Sequence, residues 1–415
     1  VLLKHAQGQR FAEALLDEHL REIPLASNDR ALCHEIVYGS IRWRRTLDHL
    51  IDRRSDTRKQ PDAVRILLRI GLYQLFWLDR IPVHAAVNET VGLANKFGIS
   101  RQRGFINAVL RRYSRESEKT KTLLTDLRAE NPALGCSHPD WLVESWNRQF
   151  GNENTNALLK WNNQPARNFA RVNTLNTTSE DLRARWNEER IEFQPISLPQ
   201  LPKDMFFELS SGPIPTGLQS FHEGDFYIQD PSTALACTML DPQPNDEILD
   251  YCAAPGGKTT LLAQLANDQA KIVAHDLHPN RLERVRENCE RLGVKSVTEF
   301  ASPESGLNGR IFDKILVDAP CSNTGVMRRR VDLRWRLSAD EITRLAQEQL
   351  KLVLEAATFL KPDGKLIYST CSVDSAENEE LVSGLEKEGF NVGNQASLKP
   401  FHDRVDGAFA ASLTR

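Results

Sequence analysis

From Asp246 onward the chain alternates short apolar runs with helical patterns, and that alternation leaves few architectures open. Strand-like runs lie at 247–250, 271–275, 296–300, 313–317 and 364–369, interleaved with helical patterns at 257–266, 279–292, 339–360 and 375–388. Strands joined through helices pair in parallel and need cover on both faces, so an α/β doubly wound, Rossmann-like sheet is expected. The loops at the carboxyl ends of such strands share one rim, where these sheets hold ligands. With the order 3-2-1-4-5, the fourth and fifth loops converge beside whatever the first loop binds.

Three of these loops carry chemistry. The first is Asp250-Tyr251-Cys252-Ala253-Ala254-Pro255-Gly256-Gly257-Lys258-Thr259-Thr260. It is not a Walker loop, because Cys252 stands where that spacing needs glycine. The glycines let the backbone turn sharply and open a helix whose N-terminal N–H groups face a ligand. Asp276 follows Gly257 by nineteen residues, at the end of the second strand, where an acidic side chain suits a ribose diol. Without G-x-G-x-x-G, an adenosine is expected there rather than a pyrophosphate. The plain alternative for a glycine-rich turn is a tight turn and nothing more.

The other two loops end in cysteine: Asp318-Ala319-Pro320-Cys321-Ser322 after the fourth strand and Ser369-Thr370-Cys371-Ser372 after the fifth. A cysteine in a strand context is usually a small buried hydrophobe, which suits Cys33, Cys136, Cys237 and Cys289. Cys321 and Cys371 instead follow the apolar run and precede serine-rich loops, where an exposed thiolate is a nucleophile. Asp318, at the strand tip, can hydrogen-bond a substrate.

Upstream, residues 1–113 read as an all-helical bundle, with a helix from about Ala85 to Phe97 and Ser27-Asn28-Asp29 as a helix cap. Residues 115–135 read as a bridging helix or linker. Helices at about 140–150 and about 152–161, a strand at Asn168–Asn173, a helix at about 179–188 and a strand at Phe221–Gln229 make a small α/β module. The expected domains are 1–114, 115–235 and 236–415. Net charge is −3, yet residues 1–115 hold twenty Lys/Arg against twelve Asp/Glu, a balance of +8. A basic module joined to an acidic remainder points to a polyanion partner, against the alternative of solvated Arg-rich faces. Seven cysteines without a C-x-x-C pair fit a reducing, cytoplasmic setting better than a disulfide framework, and no metal site is expected. No apolar run is long enough for a membrane. The chain opens at Val1 inside a helical pattern, so further N-terminal sequence is expected.

The three loops together resemble the signatures of the Sun-type family of RNA cytosine-5 methyltransferases, and Gln229-Asp230-Pro231-Ser232 resembles the motif before its catalytic domain. Ile81-Pro82-Val83-His84-Ala85-Ala86-Val87-Asn88-Glu89 and Gly104-Phe105-Ile106-Asn107-Ala108-Val109-Leu110-Arg111 resemble the NusB-like domain of the family's bacterial 16S ribosomal RNA branch. The resemblance covers nearly the whole chain. It implies S-adenosylmethionine as donor, held by Cys252, Ala253, Ala254, Pro255, Gly256, Gly257, Lys258, Asp276, Arg281 and Asp318. It implies a cytosine of 16S ribosomal RNA as acceptor, free or in a partly assembled small-subunit particle, and a monomer acting on it. Cys371 would add to carbon 6, Cys321 would assist release, Asp318 would hold the base and Lys258 would lie beside it. Two rivals are a transfer RNA enzyme of the same family and a non-catalytic assembly factor. The basic bundle argues against the first and the paired cysteines against the second.

The sequence departs from the family in three places. No acidic residue ends the third strand, where Ala301 or Ser302 stands. Arg329-Arg330-Val331-Asp332 replaces Arg-Arg-His-Pro-Asp in the expected substrate loop, and Asp406-Gly407-Ala408-Phe409 begins the last strand.

Overall fold

The computed structural model describes residues 1–6, 8, 10–23, 25–55, 60–211, 215–303, 306–307 and 309–415. They divide into two compact units, Val1–Gln164 with Met327–Arg336, and Pro165–Val326 with Leu337–Arg415. Among the described residues no helix is long and apolar enough to cross a membrane.

The first unit is helical. Its centre is the helix Asp62–Trp77, which buries Val64, Leu67, Leu68 and Leu72 along one stripe against Leu47, Leu50, Ile106 and Leu110. The helix expected from about Ala85 to Phe97 runs Val83–Lys96, with Pro82 as its N-cap. The cap at Ser27 is a correction: Ala26 is the N-cap of Ser27–Arg42, and no side chain caps it. Residues 117–130 form a helix that buries Thr120 and Leu124. The two helices expected at about 140–150 and about 152–161 meet at Gly151, whose φ of 75° and ψ of 166° break the helical run Asp140–Asn162 there.

Residues 329–332, expected in a substrate loop, lie in the segment Met327–Arg336, which is built into this helical unit. The Arg334 guanidinium is fully buried and donates to Asn162 O (3.0 Å), Asn163 Oδ1 (2.9 Å) and Ser137 O (3.3 Å). Arg328 lies 4.0 Å over the Trp161 ring. Trp335 Nε1 donates to Ile41 O at 2.7 Å, and Asp332 accepts from Ala12 N at 2.9 Å. Val331 packs with Ala12, Leu16, Leu20 and Ile41. Truncating Arg334 would leave several buried acceptors unpaired beside a cavity. Arg334→Ala should therefore lower the stability of the helical unit by on the order of 2–4 kcal/mol. Denaturant unfolding checks this, and an unchanged midpoint would contradict it.

The second unit holds two sheets. Strands β1 (Asn168–Val172), β2 (Glu192–Ile196), β3 (Phe206–Ser211) and β4 (Phe226–Ile228) form an antiparallel sheet in the order β2-β3-β1-β4, packed on Leu182 and Trp186. The strand expected at 221–229 is only β4, because Gln219–His222 is helical. The larger sheet has β5 (Glu247–Asp250), β6 (Lys271–His275), β7 (Val297–Ala301), β8 (Phe312–Asp318), β9 (Leu360–Thr370), β10 (Asn391–Leu398) and β11 (Ala408–Thr414). Its order is β10-β11-β9-β8-β5-β6-β7, with the five strands from β7 to β9 parallel and β11 pairing antiparallel with both β9 and β10. Successive residues go to opposite faces, as a pleated strand requires. Ile248, Ile272, Leu316 and Ile367 meet Leu261, Leu262 and Val285 on one side. Leu249, Val273, Ile315 and Leu366 meet Val353, Ala356 and Leu385 on the other.

Candidate active site

The site is built on the carboxyl ends of β5, β6, β8 and β9. Parallel pairing of β8 with β9 sets Asp318 against Ser369, so the loops that follow run side by side. There the Cys321 and Cys371 sulfurs lie 3.3 Å apart, and all seven cysteines are free thiols. Cys371 donates its thiol proton to Asn323 Oδ1 at 3.1 Å, while Asn323 Nδ2 donates to Cys321 O at 2.6 Å. Hydrogen bonding to Cys371, then burial, then the charges of Cys371 and Glu377 push the Cys321 thiol far above its usual value.

Asp318 and Lys258, both expected at the site, form an ion pair of 2.6 Å between Nζ and Oδ2. Ser369 Oγ donates to the other carboxylate oxygen at 3.0 Å. Burial works against the Lys258 charge, but the charge and hydrogen bond of Asp318, with the nearby thiols Cys237 and Cys371, outweigh it and raise the ammonium. This pair brings the first loop to the fourth.

The first loop is braced by the residue expected to hold a ribose. Asp276 is buried and accepts from Ala254 N (3.3 Å) and His278 N (3.0 Å). Arg281 reaches the same carboxylate at 3.3 Å and donates to Ala254 O at 3.1 Å. Gly256 has a φ of 102°, a backbone that other residues rarely adopt, and the helix Gly257–Leu265 starts directly after it. Ala253 and Ala254 are buried beneath the rim, the peptide bond before Pro255 is cis, and Cys252 is half-buried, its thiol pushed up first by burial and then by Asp318, Asp250 and Asp276. Ala301 ends β7 wholly buried and its carbonyl accepts from Asp276 N at 3.2 Å, and Ser302 beyond it is buried too.

Several residues that shape the site were not singled out from the sequence. Gly325 N donates to Cys371 O (3.0 Å) and Gly407 N donates to Gly325 O (2.9 Å). A Cβ on Gly325 would come within 2.6 Å of Cys371 O, so only glycine lets these loops touch. Arg171 of β1, almost fully buried, donates to Gln229 Oε1 (2.5 Å), Gly257 O (2.7 Å) and Thr260 Oγ1 (2.9 Å), which ties the small sheet to the helix behind the first loop. The signal for Arg171 was weak, since one arginine inside a strand is commonly exposed.

Comparison with known proteins agrees with this architecture. Residues 237–414 match the family described as 16S rRNA methyltransferase RsmB/F, residues 2–115 the NusB family, and residues 138–200 the ferredoxin-like domain of RsmF/B-like methyltransferases. The chain is 34% identical to the probable ribosomal RNA small subunit methyltransferase B of Synechocystis, over 98% of this chain and 95% of that one. It is 37% identical to ribosomal RNA small subunit methyltransferase B of Pseudomonas putida, over 93% and 91%. The chain belongs to the ribosomal RNA small subunit methyltransferase B family. A solved methyltransferase homolog from Pyrococcus horikoshii is 30% identical, covers 68% of this chain and 96% of its own, and superposes with a TM-score of 0.59.

One carboxylate in this member of the methyltransferase B family stands out electrostatically. Asp250 ends β5, wholly buried, and Thr259 Oγ1 donates to its Oδ2 at 2.6 Å. Its Oδ1 has no hydrogen-bond partner among the described residues. Burial, with Asp318 and Asp276 nearby, pushes its carboxyl up to about 7 despite the Thr259 bond. The unfolded value is about 3.9. Between the two, the folded chain keeps a proton that the unfolded chain has released, so stability falls as pH rises through that window and levels off above it. Asp250→Asn removes the penalty. Its melting-temperature advantage over the unsubstituted chain should grow from about pH 5 to about pH 8. An advantage that does not change with pH would contradict the assignment.

Proposed function

We propose that the protein transfers a methyl group from S-adenosylmethionine to carbon 5 of a cytosine in 16S ribosomal RNA, through a covalent adduct with Cys371. The observation that carries this reading is the 3.3 Å approach of two free thiols beside the Lys258–Asp318 pair. Relatives across nearly the full length are named for the small-subunit ribosomal RNA.

The rim fits the donor. Asp276 can accept from a ribose, the exposed Leu277 beside it offers apolar surface for a purine, and the helix opening at Gly257 presents N–H groups. Arg281 holds Asp276 and the Ala254 carbonyl in register for that contact. When bound, the donor supplies an electrophilic methyl group.

The chain's own residues do the rest. Cytosine carbon 5 is a weak nucleophile until the Cys371 thiolate adds to carbon 6 and makes the ring enamine-like. Asp318, aimed by Ser369 and Lys258, accepts from the exocyclic amine, and the Lys258 ammonium beside it offers a donor to the ring nitrogen as negative charge develops there. After methylation, Cys321 as thiolate takes the proton from carbon 5, the carbon 6–sulfur bond breaks, and Cys371 leaves as thiolate. The base must be unstacked to reach this site. RNA binding falls to the helical unit, where Lys96, Arg101, Arg103, Arg111 and Arg115 are exposed along 96–115.

The order of the steps gives the test. Cys371→Ala should yield neither adduct nor product. Cys321→Ala should attack, transfer the methyl and stall, giving a retarded protein–RNA band on a denaturing gel. A band from Cys371→Ala instead would reverse the roles. Normal turnover by both variants would make the thiols structural.

A further inference from the structure

Behind the two thiols lies a buried polar chain that the reaction above does not use. Each cysteine is followed by a serine, and both Ser322 and Ser372 are buried. Ser322 N donates to Glu377 Oε1 at 2.8 Å, and Ser322 Oγ donates to Glu377 Oε2. Ser372 Oγ is 3.2 Å from Ser322 Oγ and 2.9 Å from Thr324 Oγ1, and it accepts from Asp374 N at 3.0 Å. Thr324 Oγ1 accepts from Val373 N at 3.0 Å. One assignment of hydroxyl protons satisfies all of these contacts. Val373 N–H donates to Thr324, Thr324 to Ser372, Ser372 to Ser322, and Ser322 to Glu377.

Glu377 is fully buried and ends this chain as its acceptor. Gln349 Nε2 bridges its Oε1 and Pro320 O, both at 2.9 Å. Tyr368 OH, 2.6 Å from Glu377 O and 2.9 Å from Gln349 Oε1, holds the backbone and the amide in place. A buried carboxylate is kept only where its hydrogen bonds are made. Here they all run to residues of, or beside, the Cys321 loop, whereas Glu377 itself belongs to the segment after Cys371.

We propose that Glu377 is a positioning residue that fixes the Cys321 loop against the Cys371 loop, through Ser322 and Ser372, and so sets the thiol separation needed for release of the product. The proposal rests on the reading of Cys371 as nucleophile and Cys321 as releasing group. Attack needs only Cys371, while release needs Cys321 at a set distance from the adduct. Glu377→Gln keeps the shape and the acceptor facing Ser322 N. It places an amide donor where Ser322 Oγ now donates, so the hydroxyl chain must reverse.

The test uses the full chain with labelled RNA and donor. Glu377→Gln should slow decay of the protein–RNA adduct about 10-fold or more and change first-turnover methyl transfer by less than about 3-fold. Ser322→Ala should do the same and carries the test if Glu377→Gln does not fold. A second readout needs no RNA: phenylarsine oxide bridges neighbouring thiols, and the affinity that is lost in Cys321→Ala should drop about 10-fold in Glu377→Gln. Equal slowing of transfer and decay with unchanged arsenical affinity would overturn the proposal, because a general packing defect behaves that way. If Cys321→Ala gives no adduct, the adduct reading fails by itself. Arsenical affinity then decides alone, a drop supporting the positioning role and no change overturning it.

Discussion

The parallel pairing of β8 with β9 is the constraint on which the rest of the site depends. It brings two loops, fifty residues apart in sequence, into contact at the level of their cysteines. Neither loop holds that position alone. The backbone bonds through Gly325 and Gly407 and the buried hydroxyls of Ser322, Thr324 and Ser372 close the gap between them. In a low-dielectric interior such a network is worthwhile only when fully satisfied, and this one is. Its rigidity is what a two-thiol reaction needs, since misplacement of a reacting group by about 1 Å can cost on the order of 100-fold in rate.

The remaining parts are arranged around that junction by the sheet order. Because β5 lies between β8 and β6, the loop after β5 can reach Asp276 on one side and Asp318 on the other. Its residues do both: Ala254 N donates to Asp276, and Lys258 pairs with Asp318. Asp276 and the Lys258–Asp318 pair are thus joined by one stretch of seven residues, 252–258, opening a helix. Arg171 and Gln229 brace that helix from the small sheet. A second consequence is in the chain path. The segment that follows the Cys321 loop, Met327–Arg336, is part of the helical unit, so the unit with the exposed basic residues and the loop with Cys321 are consecutive in sequence.

Most of the catalytic sheet was legible because its strands are buried on both faces and therefore read as continuous apolar runs. The runs at 247–250 and 271–275 match β5 and β6, and β7 and β8 differ by a residue at their ends. β10 was not read, since Asn391-Val392-Gly393-Asn394-Gln395-Ala396-Ser397-Leu398 is largely exposed at the sheet edge and has no apolar run. β2 was hidden by Pro195, which an edge strand tolerates. The residues of the first, fourth and fifth loops were found because their types announce their chemistry. Glu377 was not, because Glu377-Asn378-Glu379-Glu380 looks like the solvated acidic start of a helix. Arg328 and Arg334 were hidden likewise in a basic run, although both are fully buried. Composition describes a side chain's cost in water, and only the tertiary partners decide whether that cost is met.

The most direct measurement of the central claim is the identity of the methylated nucleoside. Purified protein, 16S ribosomal RNA or small-subunit particles, and labelled S-adenosylmethionine are combined, and the RNA is digested to nucleosides and resolved by chromatography with mass detection. Reaction through Cys371 puts the label in 5-methylcytidine, because carbon 5 is the position that thiol addition at carbon 6 activates. Label in N4-methylcytidine or in a 2′-O-methyl nucleoside would contradict it, since neither product calls for two thiols at the site.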